Sequence, residues 1–83
     1  MTEITWLDLG DNQLGDEGVG ELADCELLTN VQYLNLSKNG VTDKGLTLLS
    51  QSKYLTKLKR LHLKNNSIEG PGVLALFDSA TLE

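Results

Sequence analysis

LHLKNNSIEGPG, residues 61–72, places two leucines on alternate positions and then runs through paired asparagines into Gly-Pro-Gly. LNLSKNGVTDKG at residues 34–45 and LDLGDNQLGDEG at residues 7–18 repeat the same phrase. Leu7, Leu34 and Leu61 are spaced by 27 residues, with no insertion between the copies. A fixed period of this length marks a solenoid, in which no unit can bury its apolar face alone and neighbours stack to build a continuous core.

Extending the alignment outward gives seven columns that are aliphatic in every copy: Ile4, Val31, Leu58; Leu7, Leu34, Leu61; Leu9, Leu36, Leu63; Leu14, Val41, Ile68; Val19, Leu46, Val73; Leu22, Leu49, Leu76; and Leu28, Leu55, Leu82. These are the expected core. The hydrophobic period changes within each unit. Around Leu7 and Leu9 it is two, the mark of a short strand with one buried face. Val19, Leu22 and Ala23, and likewise Val73, Leu76 and Phe77, fall at helical spacing. Each unit therefore reads as one strand followed by one helix.

Asp16 and Asp43 stand where a helix N-cap is expected, with carboxylates suited to the free N–H groups of a first turn. In the third unit that place is Gly70, followed by Pro71 at the first helical position, where a missing N–H costs nothing. Repeat geometry thus explains EGPG, and the absence of a following Lys-Ser/Thr argues against a phosphate loop. Gly18, Gly45 and Gly72 fall in the first helical turn. A glycine there disfavours the helix by roughly 1 kcal/mol, and the expected reason is close approach of backbone to the strand layer. Asn12, Asn39 and Asn66 follow the strands, where the chain turns away and leaves backbone groups without ladder partners. A carboxamide both donates and accepts, so a stacked asparagine column is expected to satisfy those groups within and between units.

The pattern I-x-x-L-x-L-x-x-N-x-L from Ile4 to Leu14, and again from Val31 and from Leu58, resembles the leucine-rich repeat. The unit length, its helix and its glycine are similar to the ribonuclease-inhibitor-like subclass. The resemblance covers essentially all of residues 1–83 as one domain, with repeats at about 4–30, 31–57 and 58–83 and no polar capping unit at either end. It implies an α/β solenoid, with a curved parallel sheet on the concave side, helices on the convex side, and recognition of a partner protein through the strands. Proteins with this look include ribonuclease inhibitors, Ran GTPase-activating proteins, cytosolic immune receptors and effectors of intracellular bacteria.

On that fold the strand residues between the leucines form concave columns: Trp6, Tyr33, Arg60; Asp8, Asn35, His62; and Gly10, Ser37, Lys64. Trp, Tyr and Arg are the residue types most enriched at binding hot spots, which makes their column the candidate partner site. An equally simple reading is a cross-strand aromatic pair, Trp6 on Tyr33, that stiffens the sheet. Asp8 and His62 share a column two strands apart, roughly 9–10 Å at ideal spacing, too far for an acid–base dyad. One histidine, one cysteine and scattered carboxylates match no metal-ligand spacing. Cys25 shares its column with Ser52 and Ser79 and reads as a small, partly buried residue. No catalytic residue, cofactor or metal is expected.

With 83 residues the chain sits near the lower size limit for a core without staples. Its net charge of -5 opposes binding to polyphosphate, so nucleic acid is not an expected partner. The opening MTEITWLDLG carries acids and no basic n-region, and there is no long apolar run, so neither a signal peptide nor a membrane span is expected. The chain reads as cytosolic, and its single cysteine fits a reducing compartment. Charge is divided along the chain: residues 1–30 hold Glu3, Asp8, Asp11, Asp16, Glu17, Glu21, Asp24 and Glu26 without a Lys or Arg, whereas all 7 basic residues follow. Three roles are therefore carried forward: a non-enzymatic protein-recognition module, a structural repeat segment that is either a fragment of a longer array or self-associates end to end through ends of opposite charge, and an adaptor or effector domain that regulates a partner enzyme.

Overall fold

The computed structural model describes residues 4–69 and 81–82. Trp6–Asp8 (β1), Tyr33–Asn35 (β2), Arg60–His62 (β3) and Thr81–Leu82 (β4) form one parallel sheet in chain order. The register is the one the 27-residue period predicts: Leu7 pairs with Leu34 and Leu34 with Leu61. Parallel neighbours need a crossover between them, and helices Gly15–Ala23 (α1) and Asp43–Ser50 (α2) lie in the first two crossovers. A short 3₁₀ turn, Glu26–Leu28, follows α1. The helix expected around Val73, Leu76 and Phe77, with Gly70, Pro71 and Gly72, lies outside the described residues.

The core lies between the sheet and the helices. Strand alternation sends Leu34, Leu36, Leu61 and Leu63 inward, where they meet Val19, Leu46 and Leu49 from the helices and Val31, Val41 and Leu58 from the turns. Two residues depart from their expected columns. Ile4 is 42% exposed while its column mates Val31 and Leu58 are buried, because the first unit has a neighbouring unit on one side only in this structure. Leu82, expected in the end-of-unit column with Leu28 and Leu55, instead pairs with Leu61 in β4. The backbone of β3 needs a parallel partner, and an extended Thr81–Leu82 supplies it earlier in the chain than the period would.

The helix starts also correct the sequence reading. The carboxylates are not the N-caps of their own helices. Thr42 caps α2, extended at φ -111°, and its hydroxyl accepts from the Lys44 N–H; Asp43 is the first helical residue. Asp16 lies within the first turn of α1, which has no side-chain cap. The carboxylate of Asp16 reaches across to the following unit, where it accepts from the Thr42 N–H at 2.8 Å, the Thr42 hydroxyl at 2.6 Å and the Gly45 N–H at 3.0 Å. Asp43 repeats this one unit on, accepting from the Glu69 N–H at 3.0 Å. Asp16 therefore caps the helix start of the next unit, where free N–H groups and the positive end of the dipole both favour it.

This joint explains Gly45. A Cβ on Gly45 would run into the Asp16 carboxylate and stand 3.1 Å from its Cα, so the close approach is to the preceding helix and not to the strand layer. On Gly18 a Cβ would meet Leu14 of its own turn at 2.9 Å. The expected crowding is present at both glycines, but its source is the helix layer.

Candidate partner-binding face

The face of the sheet opposite the helices carries the residues between the leucines. Trp6, Tyr33 and Arg60 pair in register across three strands, as do Asp8, Asn35 and His62. The Trp6 and Tyr33 rings stack with centroids 4.7 Å apart and planes within 7° of parallel. Trp6 nonetheless remains 60% exposed, because only one face of the indole meets Tyr33. The ring contact then leaves the first column: Tyr33 meets His62 edge-on, at 5.0 Å and 61°. A ladder of three rings thus crosses three strands, which column-by-column reading did not foresee. A diagonal neighbour lies within aromatic reach, so geometry permits it.

The second column is tied by hydrogen bonds. The Asp8 carboxylate accepts from the Gly10 N–H and from the Asn35 side chain, both at 3.0 Å. Asn35 in turn accepts from the Ser37 N–H at 2.9 Å. The carboxylate is engaged as an acceptor toward Asn35, which stands between Asp8 and His62 in the register. Lys64, exposed just beyond His62, brings positive charge to the far end of a face whose near end carries Asp8 and Asp11. Among the described residues no group of three or more His, Cys, Asp or Glu side chains is placed to hold a metal, and no helix is long and apolar enough to cross a membrane.

Behind the strands the asparagines form the expected bridge. Asn39 donates to Leu9 O and Ser37 O and accepts from the N–H groups of Asn12 and Leu14. Asn66 does the same one unit on, donating to Leu36 O and Leu63 O and accepting from Asn39 and Val41. Asn12 donates within its own turn, to Leu9 O and Gly10 O. Gly72 lies outside the described residues.

Two features escaped the sequence reading. Asp11, Lys38 and Asn65, one period apart, all have positive φ, at 60°, 56° and 62°. Asp11 and Asn65 carried the signal, since short polar side chains tolerate that region, but Lys38 hid the column. The second is the unit-to-unit carboxylate cap. Its sequence sign was Thr42 beside Asp43, a residue type that can itself serve as N-cap one position before the acid.

Residues 4–23, 28–50 and 54–77 each match the family model for the leucine-rich repeat, which is most of the chain. The chain belongs to the leucine-rich repeat family. Repeats of this family generally mediate protein–protein interaction. No curated protein matches the chain.

Proposed function

We propose that this leucine-rich repeat chain is a non-enzymatic recognition module that binds another protein through the open face of its sheet, with Trp6 and Tyr33 as anchors and Arg60, Asp8, Asn35, His62, Ser37 and Lys64 around them. The observation that carries the reading is Trp6: a large aromatic, 60% exposed, held flat against Tyr33. A side chain already fixed by stacking loses little conformational freedom on binding, and its open face offers apolar area within a polar rim. The stiffening pair and the interface anchor are thus two aspects of one arrangement.

The 27-residue unit with a helix after the strand supports the ribonuclease-inhibitor-like subclass. A reducing cytosolic setting, whether that of the producing cell or of a host receiving an effector, accords with the one free, partly buried Cys25.

The test compares partner capture by wild type with capture by Trp6→Ala, Tyr33→Ala and Arg60→Glu, each checked for native circular dichroism. All three are expected to weaken capture while retaining the fold. Exposed changes on the helix side, Lys44→Glu and Gln51→Lys, are expected to leave it unchanged. The reverse pattern would move the site to the helices.

A further inference from the structure

Of the chain's asparagines only Asn39 precedes a glycine; Gln13, Val31, Leu36, Asn66 and Ser67 follow Asn12, Asn30, Asn35, Asn65 and Asn66. An Asn-Gly pair carries chemistry of its own, because without a Cβ on Gly40 the Gly40 nitrogen approaches the Asn39 carboxamide carbon with least hindrance. Attack of that nitrogen on Asn39 Cγ forms an N–Cγ bond and breaks Cγ–Nδ2, closing a succinimide ring while the proton of the Gly40 N–H departs with the amide nitrogen as ammonia. Water then opens the ring. Cleavage of the new N–Cγ bond gives aspartate, and cleavage of the original peptide C–N bond gives isoaspartate.

The fold holds the two reacting groups apart. Asn39 Nδ2 donates to Leu9 O at 2.9 Å and Ser37 O at 3.1 Å, and its Oδ1 accepts from the Asn12 N–H at 2.9 Å and the Leu14 N–H at 3.2 Å. Leu9, Asn12 and Leu14 all belong to the first unit, so the carboxamide is drawn toward that unit and sealed there at 1% exposure. Gly40 lies on the outside, at a φ of 68° and with nothing within 4 Å of where a Cβ would stand. For the ring to close, the carboxamide must leave its partners and turn back onto the Gly40 nitrogen. Only opening of the joint between the first and second units allows that.

From this we infer that Asn39 is a site of spontaneous deamidation gated by that joint, and that the product cannot close the joint again. An aspartate at this position still accepts from the Asn12 and Leu14 N–H groups, but it has no hydrogens for Leu9 O and Ser37 O and sets a negative charge against both in a sealed site. Isoaspartate adds a carbon to the main chain between β2 and α2 as well. That extra atom displaces the Asn39 carbonyl from the Gly15 N–H, which now meets it at 2.8 Å. The deamidated fraction of the chain therefore records how long the joint has stood open.

Site-resolved mass spectrometry of the full chain, aged in mildly alkaline buffer with and without urea, tests this. In denaturing urea Asn39 is expected to convert ahead of every other asparagine, and Gly40→Asn, a residue that tolerates the positive φ, to slow it. In the folded chain conversion is expected to be about tenfold slower or more, by the fraction of time the joint is open. Urea below the unfolding transition is expected to raise conversion in step with amide exchange at Asn12 and Leu14, whose protection comes from the same joint. When the aged, unfolded sample is returned to native buffer, deamidated molecules are expected to be missing from the refolded fraction. Asn39 converting no faster than its neighbours in denaturing urea overturns the inference. So do equal rates in the folded and unfolded chain, amide exchange that rises without conversion, or deamidated chain refolding in its input share.

Discussion

The first and second units carry the same pattern of residues and differ in what that pattern achieves. Leu34 and Leu36 are fully buried, while Leu7 and Leu9 are only partly so. Asn39 is 1% exposed and makes four bonds across two units; Asn12 is exposed and uses its side chain only within its own turn. The start of α2 is closed by Thr42 and by Asp16 from the unit before, whereas α1 has no side-chain cap. Part of the stability of these two repeats therefore lies in contacts with a neighbour. A residue in a repeat column gains its value from the units on either side as much as from its own type.

The sharpest way to break the comparison is to cut the same atoms from both units. Leu34→Ala is expected to destabilise by about 2–5 kcal/mol, because it opens a cavity in a site closed on both sides, and Leu7→Ala by less than half of that. Urea unfolding midpoints measure both. Equal losses would mean that the first unit is as tightly packed as the second.

The asparagine column gives the next largest effect. Asn39→Ala leaves the N–H groups of Asn12 and Leu14 without their acceptor, at a cost of about 1–3 kcal/mol, while Asn12→Ala in the single chain costs well under 1 kcal/mol. Faster hydrogen exchange at the Asn12 and Leu14 amides in the Asn39 variant would trace the loss to that joint.

The joint between helices titrates. Hydrogen bonds from the Thr42 side chain and backbone, aided by the Gly45 N–H and the nearby Lys44 charge, hold the Asp16 carboxyl below its ordinary value against a smaller desolvation that raises it. A carboxyl lowered in the folded state contributes fully above its unfolded pKa of about 3.9, and the contribution is lost as pH falls through the lower folded value. Wild type is thus expected to lose more stability than Asp16→Asn on acidification below about pH 4. At neutral pH Asp16→Asn is expected to cost about 1 kcal/mol, the scale of a helix cap. Thermal melts of the two chains at pH 7 and pH 3 decide it; parallel losses would show that Asp16 does not join the units.

A smaller effect belongs to the open face. Trp6→Ala is expected to cost about 0.5–1 kcal/mol of stability, the scale of an aromatic pair, and so to affect binding far more than folding. The smallest is a gain: Lys38→Asn, at a φ of 56° that asparagine tolerates better, should raise stability by a few tenths of a kcal/mol.

Much of this architecture was legible before the structure. The period of Leu7, Leu34 and Leu61 implied the parallel register, and alternation around them placed Trp6, Tyr33 and Arg60 on the open face. Contacts that step between columns or across a joint were not legible. His62 enters the ring ladder diagonally. Asp16 looks like the cap of its own helix, since nothing along the chain says that its carboxylate will be used one unit later.

By itself the sequence determined the repeating unit, its strand and helix, and the face each side chain shows, because these follow from periods of two, near four and 27 that run along the chain. Tertiary structure alone decided which copies of a column are sealed, which acid closes which helix, and that Leu82 joins the sheet. Those outcomes depend on groups facing each other across a joint, where distance in space and distance in sequence no longer correspond.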